Sequence, residues 1–261
     1  MRTTSRLVGF FLACAGLTMT GCDALDPGGA LLYVFSTHHA TPENGSFPNR
    51  GDDEAPRVFE NDNGWEVTLL ESYITIEAVT IVTCGGRELP LQMFWGPCPE
   101  DLRAEDLETL TVAGRELEPG DYCQLIVDYG RYHMPVIEPG KEDTRHDIPE
   151  NSAVDGATVY FSGGARLDAG DDAVPFQLRG TAEQRIVLDL QTVDGGGPFH
   201  VARHEDFPKE LTISKTYDRF FDGVDFTDFD ASALEAEFED VLAEQTRVQV
   251  GTLVQIDPSD G

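Results

Sequence analysis

Basic residues are scarce in this chain: 18 Lys and Arg stand against 48 Asp and Glu over 261 residues, a formal charge of −30. A polyanion of this kind is repelled by phosphate backbones and releases no counterions on them, so nucleic acid is excluded as an expected partner. Anionic lipid surfaces are disfavoured for the same reason. The acidity reads first as a means of staying soluble and second as attraction for cations or basic partners. Catalytic signatures are also missing. The chain has no nucleophile elbow, P-loop, dinucleotide fingerprint, zincin motif or Cys-x-x-Cys pair, and the reading is of a protein that is not an enzyme. No internal repeat and no strongly biased linker divides it.

What is present begins at the N-terminus. Arg2 and Arg6 precede an apolar run, residues 7–17 (LVGFFLACAGL), which is too short for an ordinary membrane span and reads as a signal peptide over residues 1–21. Met19-Thr20-Gly21-Cys22 follows and resembles the lipobox of bacterial lipoproteins, in which small residues precede a lipidated cysteine. Met stands where that pattern usually has Leu. The resemblance implies cleavage after Gly21, acylation (palmitate among the chains) at Cys22, and a place in the cell envelope, periplasmic or surface-facing, held to a membrane by lipid. The alternative is an ordinary secretory signal with a chance cysteine. Several acyl chains anchor stably where one does not, because each buried methylene contributes about 0.8 kcal/mol. Residues 22–30, with Pro27-Gly28-Gly29, read as a tether. Without Arg2 and Arg6 the 18 basic residues become 16, against 48 acidic ones, a formal charge of −32 for the remaining chain.

Residues 31–256 are expected to form one domain. Residues 31–36 (LLYVFS) are apolar and β-prone, and the polar stretch 38–56 reads as a loop. Residues 65–83 (WEVTLLESYITIEAVTIVT) predict two strands or one bent strand, with a turn at Cys84-Gly85-Gly86 and an antiparallel return over 87–93. Glu118-Pro119-Gly120-Asp121 opens a strand over 122–129 whose Cys123, Leu125 and Val127 share a face. The Pro-interrupted segment 131–156 reads as a crossing loop. Further strands are expected over 157–161, 174–178, 185–192 and 210–216, spaced by Gly-rich turns as in a sandwich or barrel. The predicted helix is 232–245, where Leu234, Phe238, Val241 and Leu242 recur at helical spacing. The fold class is therefore mostly β: an antiparallel β-sandwich with one C-terminal helix.

Beyond Cys22 three cysteines remain, Cys84, Cys98 and Cys123, and an oxidising compartment allows one disulfide. If residues 74–83 and 107–112 run towards the Gly85-Gly86 end, the strand starting at Asp121 begins there too, and Cys84 meets Cys123. Cys98, in the Trp95-Gly96-Pro97-Cys98-Pro99 loop, is then the spare; a Cys84–Cys98 pairing stays open. The acidic run 218–230 invites a calcium reading, but an EF-hand register set from Asp218 puts Phe220 and Phe229 at positions that need oxygen ligands. An acidic turn with its phenylalanines anchored in the core is preferred. Four histidines, His39, His133, His200 and His204, with Met134 beside the second, are candidates for a copper or zinc site if loops at one sandwich end converge.

Three segments carry a family resemblance: Ser72-Tyr73-Ile74-Thr75-Ile76, Leu117-Glu118-Pro119-Gly120-Asp121-Tyr122, and the stretch 217–225 (YDRFFDGVD) before the helix. Together they resemble MbnP-like proteins. The resemblance implies an exported β-sandwich and copper handling in the periplasm alongside a partner protein. The chain departs from the pattern at residues 174–180 (VPFQLRG), where a histidine is expected near the Pro-Phe strand. The functional expectation is a non-enzymatic cell-envelope lipoprotein that binds a metal ion or serves an envelope partner in metal handling; the alternative is a surface structural or adhesion module without metal.

Overall fold

The computed structural model describes residues 28–43, 46–48, 56–134 and 149–253. The expected signal peptide, Cys22 and most of the expected tether lie outside the described residues. Among these residues no helix is long and apolar enough to cross a membrane.

The strands, in chain order, are β1 (Ala30–His39), β2 (Arg57–Glu60), β3 (Glu66–Thr83), β4 (Glu88–Pro90), β5 (Gln92–Met93), β6 (Cys98–Asp101), β7 (Leu110–Leu117), β8 (Gly120–Tyr129), β9 (Val159–Arg166), β10 (Val174–Gly180), β11 (Gln184–Asp189), β12 (Phe199–Val201), β13 (Lys209–Thr216) and β14 (Thr246–Val250). They form two sheets. One has the order β14-β13-β1-β7-β5; the other follows β10-β9-β3-β8-β11, with β12 on β8 and with β2, β4 and β6 on β3. All the pairings are antiparallel except β1 with β13, which is parallel. The chain is mostly β, a sandwich of mainly antiparallel sheets with one α-helix among the described residues.

The apolar stretch 65–83 resolves into one strand rather than two. Its register against β9 shifts between Leu69 and Glu71, and against β8 between Ile76 and Ala78. Leu70 and Glu77 are the extra residues, and both side chains are exposed. Bulges of this kind bend a strand and break its alternation, which is why the sequence pattern was only partly periodic. Gly163 of β9 sits opposite the first shift, where a Cβ would lie 2.0 Å from the Thr68 carbonyl oxygen; only glycine permits that approach.

The single α-helix, α1 (Ala231–Gln245), begins at Asp230, whose carboxylate accepts the N–H bonds of Ser232 and Ala233. Leu234, Phe238 and Leu242, four residues apart, form its buried stripe. The helix lies against β10 and β11, the two ends of the larger sheet's main path, and closes the interior between them. The phenylalanines of the acidic run point into this space, as the sequence predicts: Phe220, Phe221 and Phe226 are buried and meet Phe59, Phe161, Phe176 and Phe238. Each buried ring contributes about 1.5–3 kcal/mol by leaving water.

Strands β2, β6, β12 and β14 were not expected. Each is short, and β6 replaces part of the expected 95–99 loop. The loop expected over 38–56 likewise starts later, since His38 and His39 complete β1.

Candidate functional site: a cleft over a buried charge cluster

Period-2 alternation sends Leu32, Val34, Ser36 and His38 of β1 to one face of the strand. Leu32 and Val34 enter the apolar core, whereas Ser36 and His38 are equally buried but polar. Parallel β13 repeats the change: Leu211 and Ile213 are core, and Lys215 follows on the same face, fully buried. On β2, Arg57 and Phe59 share the buried side. Glu100 comes from β6, which pairs with β3 so that Glu100 stands opposite Ile74.

These side chains meet. Lys215 Nζ lies 2.7 Å from Glu100 Oε2 and donates to Ser36 Oγ at 2.7 Å, while Ser36 donates to Glu100 Oε2 at 2.5 Å. The His38 ring bridges Glu100 Oε1 and the Ala104 carbonyl, each at 3.0 Å, through Nδ1 and Nε2. Arg57 donates from Nε to the Leu102 carbonyl (2.9 Å) and from Nη1 to Asp106 (2.7 Å) and to the Tyr217 hydroxyl (3.0 Å), with Nη2 on the Ala104 carbonyl. Its guanidinium also lies over the Tyr217 ring, 4.4 Å from the centroid. Buried charges persist only when paired and hydrogen-bonded, and here the partners are supplied.

Electrostatics fix the protonation of the central pair. Burial alone would raise the Glu100 carboxyl, but Lys215 and the His38 bond outweigh it and hold the group at about 2. Burial would lower Lys215, and Glu100 outweighs it in turn, leaving the ammonium above its ordinary value. Ser36 beside Lys215 has the outline of a nucleophile with a base. A protonated ammonium cannot take a proton, however, and a carboxylate at about 2 is a poor base at neutral pH. The cluster is therefore suited to holding shape and charge rather than to proton transfer.

Above it opens a cleft of about 840 Å³. Its lining includes the buried Ser36, His38 and Glu100 together with Tyr33, Phe94 and Trp95. Phe94 and Trp95 are 41% and 46% exposed. Tyr33 and Phe94 rings lie 6.0 Å apart. They can do so because Gly114, the cross-strand partner of Tyr33, has no side chain: a Cβ there would come within 2.9 Å of both Phe94 Cζ and the Leu32 carbonyl. The remaining wall is the segment 104–111. It contains Leu107, a non-glycine residue at φ 69°, whose N–H donates to the His38 carbonyl at 3.0 Å. Left-handed backbone at such a residue costs on the order of 1–2 kcal/mol and persists where surrounding bonds over-determine it.

The histidines named from sequence are not gathered at this cleft. His39 is buried at the end of β1, where its Nδ1 meets the Ala40 carbonyl at 2.8 Å and its ring packs on Phe47; burial lowers its pKa. His200 on β12 pairs with Asp121 at 2.7 Å, beside Cys84, whereas His39 follows His38, which touches Glu100 opposite Ile74. Measured along β3 those places are ten residues apart, roughly 30 Å. His204 lies near Gly28, close to the His200 end, and His133 is exposed beyond β8, next to a separate small cluster of Tyr73, Tyr132 and Tyr160. The expectation that these four meet in one loop cluster is thus corrected: the register of β3 and β8 places them at opposite ends. Among the described residues no group of three His, Cys, Asp or Glu side chains is arranged to hold a metal ion.

The disulfide joins Cys84 to Cys123, with Cα atoms 4.8 Å apart, and so excludes the Cys84–Cys98 alternative. The geometry differs from the expected one in a single respect: β7 lies in the other sheet, and it is β3 and β8, direct antiparallel neighbours, that share the end. Cys98 is a buried thiol on β6.

Tyr33, Phe94, Trp95, Glu100 and Lys215 were all missed as site residues. A signal for Lys215 exists, since residues 211, 213 and 215 share a face in any strand. None exists for Glu100 until β6 is known to be a strand.

No protein-family model matches the chain, and no curated protein matches it. Among solved structures, MbnP from Methylosinus trichosporium is similar, with 10% identity and a TM-score of 0.39 over 85% of this chain and 99% of that one. Identity and TM-score are both too low to carry a fold or an activity from that protein to this one.

Proposed function

We propose that this chain is a non-enzymatic binding protein of the bacterial cell envelope, exported, anchored by lipid at Cys22, and using the cleft above the charge cluster to hold a small organic ligand. The observation that carries the binding reading is the cleft itself. A concavity of about 840 Å³ lined by aromatic rings and by buried polar side chains has the size and lining of a small-molecule site. The non-enzymatic reading is supported by the protonation states of Lys215 and Glu100, which leave Ser36 without a base. Export is supported by the N-terminal pattern and by the disulfide, a bond that persists in oxidising compartments.

Two measurements test this. Expressed at full length in a bacterium, the chain fractionates with membranes, and C22S shifts it to the soluble fraction; equal partition of the two forms contradicts the anchor. In detergent solution the full chain binds at least one aromatic small molecule with Kd below about 1 mM. F94A/W95A abolishes that binding, and unchanged binding contradicts the cleft.

A further inference from the structure

We infer, resting on the reading of the cleft as a binding site, that its ligand carries a positive charge on an apolar body: an arylalkyl ammonium or guanidinium group. The charges lining the cleft are of one sign. Glu100, Asp101 and Glu108 contribute to it, and among the described residues no Lys or Arg does.

These three carboxylates are not equivalent. Glu100 is paired with the buried Lys215, and Asp101 is held by Arg103 through Oδ2 at 2.7 Å. Glu108 is exposed and has no ion-pair partner among the described residues. It is the charge left over for a ligand. Trp95, Phe94 and Tyr33 line the same cleft, and an aromatic face attracts a cation through its quadrupole, Trp most strongly. A cation with an apolar body satisfies both features at once, with its charge towards Glu108 and its hydrocarbon on the rings.

Other ligand classes fit less well. An anion meets these carboxylates and a chain of formal charge −30. A bare metal ion lacks a three-ligand group among the described residues and leaves most of the volume unfilled. A neutral aromatic molecule uses the rings but not Glu108.

The test uses the full chain in detergent and three probes of similar size: phenethylammonium, neutral 2-phenylethanol and anionic phenylacetate. Binding is followed by tryptophan fluorescence. Trp65 is buried against Phe226, so a response is assigned to Trp95 by its loss in W95F. The expected result is that phenethylammonium binds about tenfold more tightly than either other probe, that the preference weakens as salt rises, and that E108Q brings the cation-to-neutral ratio close to one. If the three probes bind alike, or phenylacetate binds best, the cation inference is wrong while the cleft remains a binding site. If none binds, both fall. Retention of the full preference in E108Q overturns the role given to Glu108.

Discussion

Tyr217 stands between two regions of the interior that are filled by opposite chemistry. Its ring meets Phe59 at 5.9 Å, on the side where Phe161, Phe176, Phe220, Phe221 and Phe226 pack together. Its hydroxyl receives Arg57 and faces Asp106, on the side where His38, Glu100 and Lys215 are buried. The same short segments feed both. Arg57 and Phe59 are two residues apart on β2, and Lys215 is followed within six residues by Phe220 and Phe221. The apolar region is covered by α1, whereas the charged one lies under an open cleft. Burial alone therefore does not say what a region is for. Phenylalanines lower the free energy of the fold by leaving water. Buried ion pairs return little net stability, because desolvation offsets the attraction, yet they fix the positions of the polar side chains that line the cleft.

The largest effects are expected from removing one buried charge or one buried ring. K215M leaves Glu100 without its cation and is expected to lower stability by about 3–5 kcal/mol. F221A opens a cavity among four neighbouring rings and is expected to cost a similar 3–5 kcal/mol. The two are told apart by rescue. Adding E100Q to K215M removes the orphaned charge and recovers much of the loss in urea unfolding, while no charge change rescues F221A. A K215M cost under about 1 kcal/mol would mean that Glu100 does not need its partner.

Next in size is the disulfide, which lies in neither region. Cys84 and Cys123 are separated by 39 residues, and the loop-closure relation gives about 4 kcal/mol for such a bond. Along β3 the bond is ten residues from the Glu100 position, so the loss in C84S/C123S is expected to add to that of K215M within about 0.5 kcal/mol. Strong non-additivity would show that the charge cluster is coupled across the length of the sheet. A smaller effect, about 1–3 kcal/mol, is expected for G114A, because the new methyl group meets the Leu32 carbonyl and the Phe94 ring. Binding in the cleft should weaken along with stability; a G114A protein with normal binding would detach Phe94 from the site.

Much of the apolar region was legible in the sequence. The helix and its stripe and the strands expected over 174–178 and 210–216 follow from periodicity, the phenylalanines of the acidic run were expected in the core, and one disulfide pairing was reachable from strand direction. The charged region was not. Lys215, Glu100 and Arg57 look like surface residues when 25% of the chain is charged, and their burial depends on pairings between β1, β2, β6 and β13 that are distant in sequence. Tyr33, Phe94 and Trp95 come together across β1, β5 and β7 through a glycine whose importance is visible only in three dimensions. The histidines misled for a related reason: sequence places each near the end of an element but does not say which end of the sandwich that is.

The most direct test follows the stability of the wild-type chain, E100Q and F221A from pH 7 to pH 2. The folded Glu100 carboxyl, at about 2, lies below its ordinary value of 4.5. A depressed carboxyl contributes stability that is fully present above the ordinary value and is lost as pH falls through the folded one. The stability gap between wild type and E100Q should therefore be constant near neutrality and shrink by a few kcal/mol as pH falls from about 4.5 towards 2. The gap between wild type and F221A should stay flat. A wild-type-to-E100Q gap that does not change with pH would contradict the buried Glu100–Lys215 pair, and with it the division of the interior into an apolar region and a charged one.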